Sequence, residues 1–193
     1  MLAIPPPFPI HRFTVADYEA MGDAGVLTED DKVELLDGWI VCKSSKSPPR
    51  AATVSHLQML LFDLVPAGWL VRSHGAVVTA DSVPEPDMTV IRDKPGDYRH
   101  RHPTGADVAL IVQVADGNPA SDRERANIFA RANIPYYWIV NLDDRQIEVF
   151  SQPTGAGRKR VYLDRSVLRG KASLDVILNS KVVGSLSVRE ILE

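Results

Sequence analysis

Three side chains, far apart in the sequence, are of types that together can hold a divalent cation. Glu34 stands just before the turn Asp37-Gly38, and Asp87 follows Pro86 at the head of the apolar run Met88-Thr89-Val90-Ile91. Gln113 interrupts the apolar run Ala109-Leu110-Ile111-Val112-Gln113-Val114. A hard cation such as magnesium takes oxygen ligands, keeps several waters and uses one or two carboxylates from the protein. In phosphodiester hydrolysis it stabilises charge growing on the phosphoryl oxygens and lowers the pKa of the attacking water. An acidic residue before a turn, one opening a strand and a third ligand in the next strand would suit that chemistry. Here the third is an amide, which offers a carbonyl oxygen but no charge.

The elements that must carry these residues are legible from periodicity and turn chemistry. Thr14 fits an N-cap, with Asp17 three residues on, for a short helix carrying Val15, Tyr18 and Met21 that ends at Gly22 to Gly25. Val33 to Leu36 and Trp39 to Cys42 flank Asp37-Gly38, a strong hairpin signal. Val54, Leu57, Leu60, Leu61, Leu64 and Val65 repeat with helical spacing over 50–65. Trp69-Leu70-Val71, Val77-Val78-Thr79 and Met88 to Ile91 read as three short strands. The run from Val108 to Val114 reads as a central strand covered on both faces, with Ile111, Gln113 and Ala115 on one side and Val112 and Val114 on the other. Ser121 is placed to cap a helix reaching about Asn133. Tyr136 to Val140 and Gln146 to Phe150 form a hairpin, and the remainder reads as further strands with a closing turn of helix.

Composition bounds the function. The chain has 193 residues, 45% hydrophobic and 24% charged, with a net charge of -3. That fits one compact α/β domain over 1–193, with a proline-rich extended arm at 1–12. It speaks against a strongly basic coat, so nucleic-acid contact has to come from local patches. The single cysteine, Cys42, excludes an intrachain disulfide, and no signal or membrane segment is evident, so the expected compartment is the cytoplasm.

Local pattern alone favours plainer roles, a solvated turn aspartate for Asp87 and a core amide for Gln113. The order of motifs changes that balance. Phe13-Thr14-Val15 with Tyr18, Val33-Glu34-Leu35-Leu36-Asp37-Gly38, Pro86-Asp87, Ile111-Val112-Gln113-Val114, Tyr136-Tyr137-Trp138-Ile139-Val140 and Ile147-Glu148-Val149 occur in sequence. With them the chain resembles the Uma-type restriction endonuclease family of the PD-(D/E)XK nuclease superfamily over roughly residues 12 to 150. The resemblance implies a restriction-endonuclease-like fold, with a mixed central sheet, the Met88 and Val108 strands adjacent, and helices on both sides. It implies DNA as substrate and magnesium or manganese as cofactor, with Glu34, Asp87 and Gln113 at the metal-ligand positions. The family's lysine falls at Arg125 or Ala126, and Arg50 stands where the family often has a histidine.

The departures bear on activity. Gln113 removes a unit charge, worth on the order of 4 kcal/mol against another unit charge at ~4 Å and an effective dielectric near 20. Arginine keeps the charge of lysine but cannot serve as a general base. The expected function is therefore a metal-dependent DNA endonuclease with a degenerate site (catalytic set Glu34, Asp87, Gln113 and Arg125). The alternative is a non-catalytic nuclease-fold protein that binds nucleic acid or a protein partner. A homodimer is expected through the outer edge of the 136–150 hairpin. Arg99 to His102 and Arg158 to Arg160 read as solvated basic loops, phosphate contacts being the other reading.

Overall fold

A computed structural model describes residues 8–94 and 96–193; the proline run Pro5-Pro6-Pro7 lies outside them. Ten strands and four α-helices follow in the order α1 (Val15–Asp23), β1 (Val33–Leu36), β2 (Trp39–Cys42), α2 (Pro48–Leu64), β3 (Trp69–Ser73), β4 (Met88–Arg92), β5 (Val108–Ala115), α3 (Ala120–Arg131), β6 (Tyr136–Asn141), β7 (Gln146–Thr154), β8 (Val161–Arg169), β9 (Ser173–Leu178), β10 (Lys181–Ser187) and α4 (Val188–Leu192).

The central sheet has six strands in the order β3-β4-β5-β6-β7-β8. All neighbours are antiparallel except β5 and β6, which run parallel with α3 as their crossover. The mixed sheet and the adjacency of β4 and β5 match the expected fold. Alternation along β5 assigns the two faces. Leu110, Val112 and Val114 pack with Leu57 and Leu61 of α2 and with the β9–β10 hairpin and α4. Ile111 and Ala115 pack with Ala126 and Phe129 of α3, together with Tyr137 and Ile139. Gln113 falls on the α3 side.

The β1–β2 hairpin is a separate two-stranded ribbon that brings Glu34 to the sheet. Its turn places both Asp37 (φ 51°) and Gly38 (φ 77°) in the left-handed region, the demand of a two-residue hairpin turn. A Cβ on Gly38 would lie 2.7 Å from the Arg12 Cβ, so both backbone angle and space require glycine there. The ribbon docks through Val83 N–H to the Leu35 carbonyl at 2.7 Å and Gly38 N–H to the Asp81 carbonyl at 3.0 Å. Thr14 caps α1 as expected, and the Asp17 side chain accepts the Thr14 N–H in return, completing a capping box.

Three sequence expectations need correction. Val77 to Thr79 is not a strand: Val78 makes one bridge to Thr104, while Val77 and Thr79 bond back to Pro84 and Ser82 in a tight loop. Pro84 and Pro86 have no N–H with which to continue a ladder. Helix α3 begins at Ala120, before Ser121, because Asn118 Oδ1 already accepts the Ala120 N–H at 3.0 Å. The outer edge of the β6–β7 hairpin is covered by β8 of the same chain, from Gln146↔Arg169 to Thr154↔Val161, so the surface that suggested a dimer is already paired. No helix among the described residues is long and apolar enough to cross a membrane.

Candidate active site

Glu34, Asp87, Gln113 and Arg125 line one small cavity of about 30 Å³, together with Arg50 and His74. Register explains the meeting of Asp87 and Gln113. Met88 pairs with Val112, so one step back along β4 sets Asp87 beside Gln113. Glu34 arrives from the ribbon, and its Oε2 accepts the Glu85 N–H at 3.0 Å. Arg125 comes from the second turn of α3. Ala126, the other position open to the family's lysine, points into the α3-side core.

Each carboxylate is already matched to an arginine. Arg50, in the first turn of α2, donates from Nε and Nη2 to both oxygens of Asp87 at 2.9 to 3.2 Å. Asp87 Oδ2 also accepts the Val114 N–H at 2.8 Å. Arg125 donates Nη1 to Glu34 Oε2 at 2.9 Å and Nη2 to Glu34 Oε1. Glu34 and Asp87 are each 1% exposed and Arg50 is 9% exposed, so both pairs are held away from water. Charge-assisted, two-pronged contacts of this kind are the strong class of hydrogen bond. Gln113 Oε1 is buried and has no hydrogen-bond partner.

These residues do not fit a hard dication as they stand. Every carboxylate oxygen of Glu34 and Asp87 is engaged by a guanidinium, and the buried oxygen without a donor, Gln113 Oε1, belongs to a neutral amide. Magnesium would have to displace two arginines and then tolerate both positive charges nearby. Among the described residues no three His, Cys, Asp or Glu side chains are grouped to hold a metal ion.

Around the cavity lies a second ring. Lys43 pairs with Glu85 at 2.6 Å, and Lys46 Nζ lies 2.9 Å from His74 Nδ1. Burial, and then the charge of Lys46, push the His74 pKa below its ordinary value, which keeps the ring neutral and able to accept from Lys46. Arg50 and Arg125 also face a larger cleft of about 1110 Å³ between the ribbon, the start of α2 and one flank of α3. Trp39, Asn127 and Arg131 line it. Asp122 lies there too, with Arg125 Nε 4.0 Å away. Burial raises its carboxyl pKa to about 6, only partly countered by the charge of Arg125.

The family is decided by a match to the model described as "Putative restriction endonuclease" over residues 15–179. The chain belongs to this Uma2 family. A solved structure, titled as a putative nuclease belonging to DUF820 from Anabaena variabilis, is similar over 95% of this chain and 98% of that one, with a TM-score of 0.69 and 12% identity. That likeness shows the fold alone. No curated protein matches the sequence.

Within this Uma2-family chain, sequence reasoning anticipated the convergence of Glu34, Asp87 and Gln113 but missed the partners that they meet there. Arg50 stood out as a departure, but nothing in the sequence says that it closes on Asp87. Asp122 gave no signal, because a first-turn aspartate is ordinary at a helix start. Two arginines of the basic loops, Arg101 and Arg158, are paired with aspartates. Lys94 and Arg101 hold Asp107 at 2.5 and 2.8 Å, and Arg158 pairs with Asp81.

Proposed function

We propose that this chain is a nuclease-fold protein that binds nucleic acid through the cleft beside α3, with its phosphodiester-cleaving site converted into two arginine–carboxylate pairs. The observation that carries the reading is the pairing of Arg50 with Asp87 and of Arg125 with Glu34 at the positions where the family resemblance implies metal ligands. Restriction-endonuclease-like proteins generally use divalent metals, and in this copy magnesium or manganese binding is weak or lost. Arg125 neutralises Glu34 and does not act as a base. Gln113 adds an oxygen without the charge that would draw a dication against two guanidiniums.

DNA is the proposed partner. The cleft adjoins the converted site, and Arg12 and Arg131 bring positive charge to its walls with Trp39 as an aromatic surface. Acidic residues offset that charge, so binding is modest and strongly salt-dependent. Fluorescence anisotropy with labelled duplex and single-stranded DNA, beside a plasmid-nicking assay in manganese, tests the proposal. It holds if the protein binds without nicking and fails if it binds neither form of DNA.

A further inference from the structure

A second charged constellation lies on the same face of the sheet as Gln113. Gln113 pairs with Ile139, Ile139 with Glu148, and Glu148 with Val167, so these four residues form a row across β5, β6, β7 and β8. Glu148 is fully buried, yet its carboxylate accepts from two arginines. Arg123 donates Nε at 3.0 Å to Oε2 and Nη2 at 2.5 Å to Oε1, and Arg165 donates Nη2 to Oε2 at 2.8 Å. Two residues earlier in the strand, buried Gln146 accepts from Arg169 and donates to Glu148 at 3.4 Å. The Arg165 guanidinium also stacks over Phe150, 5.5 Å from the ring centre.

The anion of this cluster is buried while its cations are not. The side chains of Arg123 and Arg165 are 37% and 47% exposed, against none for Glu148. A guanidinium carries five N–H donors, and each of these spends only some of them on the anchor. Burial by itself would raise the Glu148 pKa, but the hydrogen bond from Arg123 and the charge of Arg165 hold it below its ordinary value. Asp144 is the acidic neighbour felt by Arg123, and its carboxylate is tied to Asn141 at 2.9 Å. Two guanidiniums are thus fixed on one hidden carboxylate and a third on the adjoining Gln146 amide, leaving outward donors and an excess of positive charge.

Helix α3 connects this cluster with the cleft. Asp122 and Glu124 line the cleft, while Arg123 between them turns to Glu148. Neighbouring strands are ~4.8 Å apart, so Glu148 on β7 lies roughly 10 Å across the sheet from Gln113 on β5. That is about three nucleotide rises along one strand of duplex DNA, at ~3.4 Å each.

We propose that Arg123, Arg165 and Arg169 form a phosphate-contacting platform that holds the backbone of a nucleic acid where it leaves the cleft. The proposal rests on the reading of the cleft as a nucleic-acid site. Contacts of this kind set position and affinity and carry no base sequence information. A purely structural role for the cluster would require the buried pairing but would be indifferent to charge added on the exposed surface between the arginines.

Anisotropy with a labelled duplex of ~20 base pairs, over roughly 50 to 200 mM salt, separates the possibilities. Arg165→Gln/Arg169→Gln keeps the two-pronged Arg123–Glu148 contact. It is expected to weaken binding about tenfold and make the log–log salt slope shallower by roughly two, at ~0.9 per phosphate contact. Val167→Glu removes no arginine and places a carboxylate between Arg165 and Arg169 at a position 42% exposed, so it should weaken binding without loss of fold. Asn127→Glu does the same inside the cleft. Wild-type binding with an unchanged slope and affinity in both platform variants overturns the platform and leaves the cleft reading intact. Loss confined to the platform variants, with Asn127→Glu at wild-type affinity, keeps the three arginines as phosphate contacts but overturns the cleft reading and, with it, the placing of the platform at the cleft's exit. Absence of wild-type binding to duplex overturns the platform.

Discussion

Arg50 grips Asp87 with two nitrogens, each within 3.2 Å of both carboxylate oxygens, in a site where the aspartate is 1% exposed. The contact ties the first turn of α2 to the head of β4. It also consumes the carboxylate best placed to bind a cation. In the proposed reading, stability and the loss of metal chemistry share one cause.

Removing the cation should expose that cost. Arg50→Ala leaves Asp87 buried without its partner, and breaking such a pair typically costs about 3–5 kcal/mol. Denaturant unfolding is expected to show a loss of this size with an unchanged m-value. A loss under ~1 kcal/mol would mean that water readily replaces the arginine.

Much of this arrangement was readable from the chain, and the division has physical reasons. Asp37-Gly38 fixed the ribbon, the apolar run broken only by Gln113 fixed β5, and alternation placed Gln113 opposite Val112 and Val114. Those are local signals of turn chemistry and period. The meeting of Glu34 with Asp87 depends on ribbon docking through Val83 and Gly38, and only the order of motifs hinted at it. The pairing of Arg50 with Asp87 and of Arg123 with Glu148 had no local signature. An arginine in the first half of a helix reads as solvated until the fold shows which buried carboxylate lies within reach. Val77 to Thr79 misled because β-branched composition resembles a strand even where prolines prevent pairing.

Gln113→Glu should restore part of the cation site. Glutamate nearly matches glutamine in volume, so it fits the cavity of about 30 Å³, and it adds a unit charge beside Asp87. Manganese affinity is expected to rise, by more than magnesium affinity, because manganese tolerates nitrogen ligands and imperfect geometry better. Combining it with Arg50→Ala should increase the gain, since Asp87 is then free to coordinate. Calorimetric titration of each variant checks this. Equal affinity in wild type and both variants would show that position 113 does not face a cation site.

Asp122 gives the protein a pH signature. Burial raises its carboxyl from 3.8 to about 6 in the folded state. Between those values the folded protein keeps a proton that the unfolded chain has lost. The stabilisation is fully present below pH ~4 and is lost as pH rises through ~6, by about 3 kcal/mol. Asp122→Asn should flatten this portion of the stability profile and make the protein more stable at pH 7 by a similar amount. Denaturant unfolding across the range measures it, and a wild-type profile already flat over that interval would rule the effect out.

The central claim, that paired arginines have displaced metal-dependent cleavage, is tested most directly by plasmid nicking with the wild type and Asp87→Ala in millimolar manganese. The expected result is no nicking above background by either protein. Robust, manganese-dependent nicking by the wild type that Asp87→Ala abolishes would contradict it.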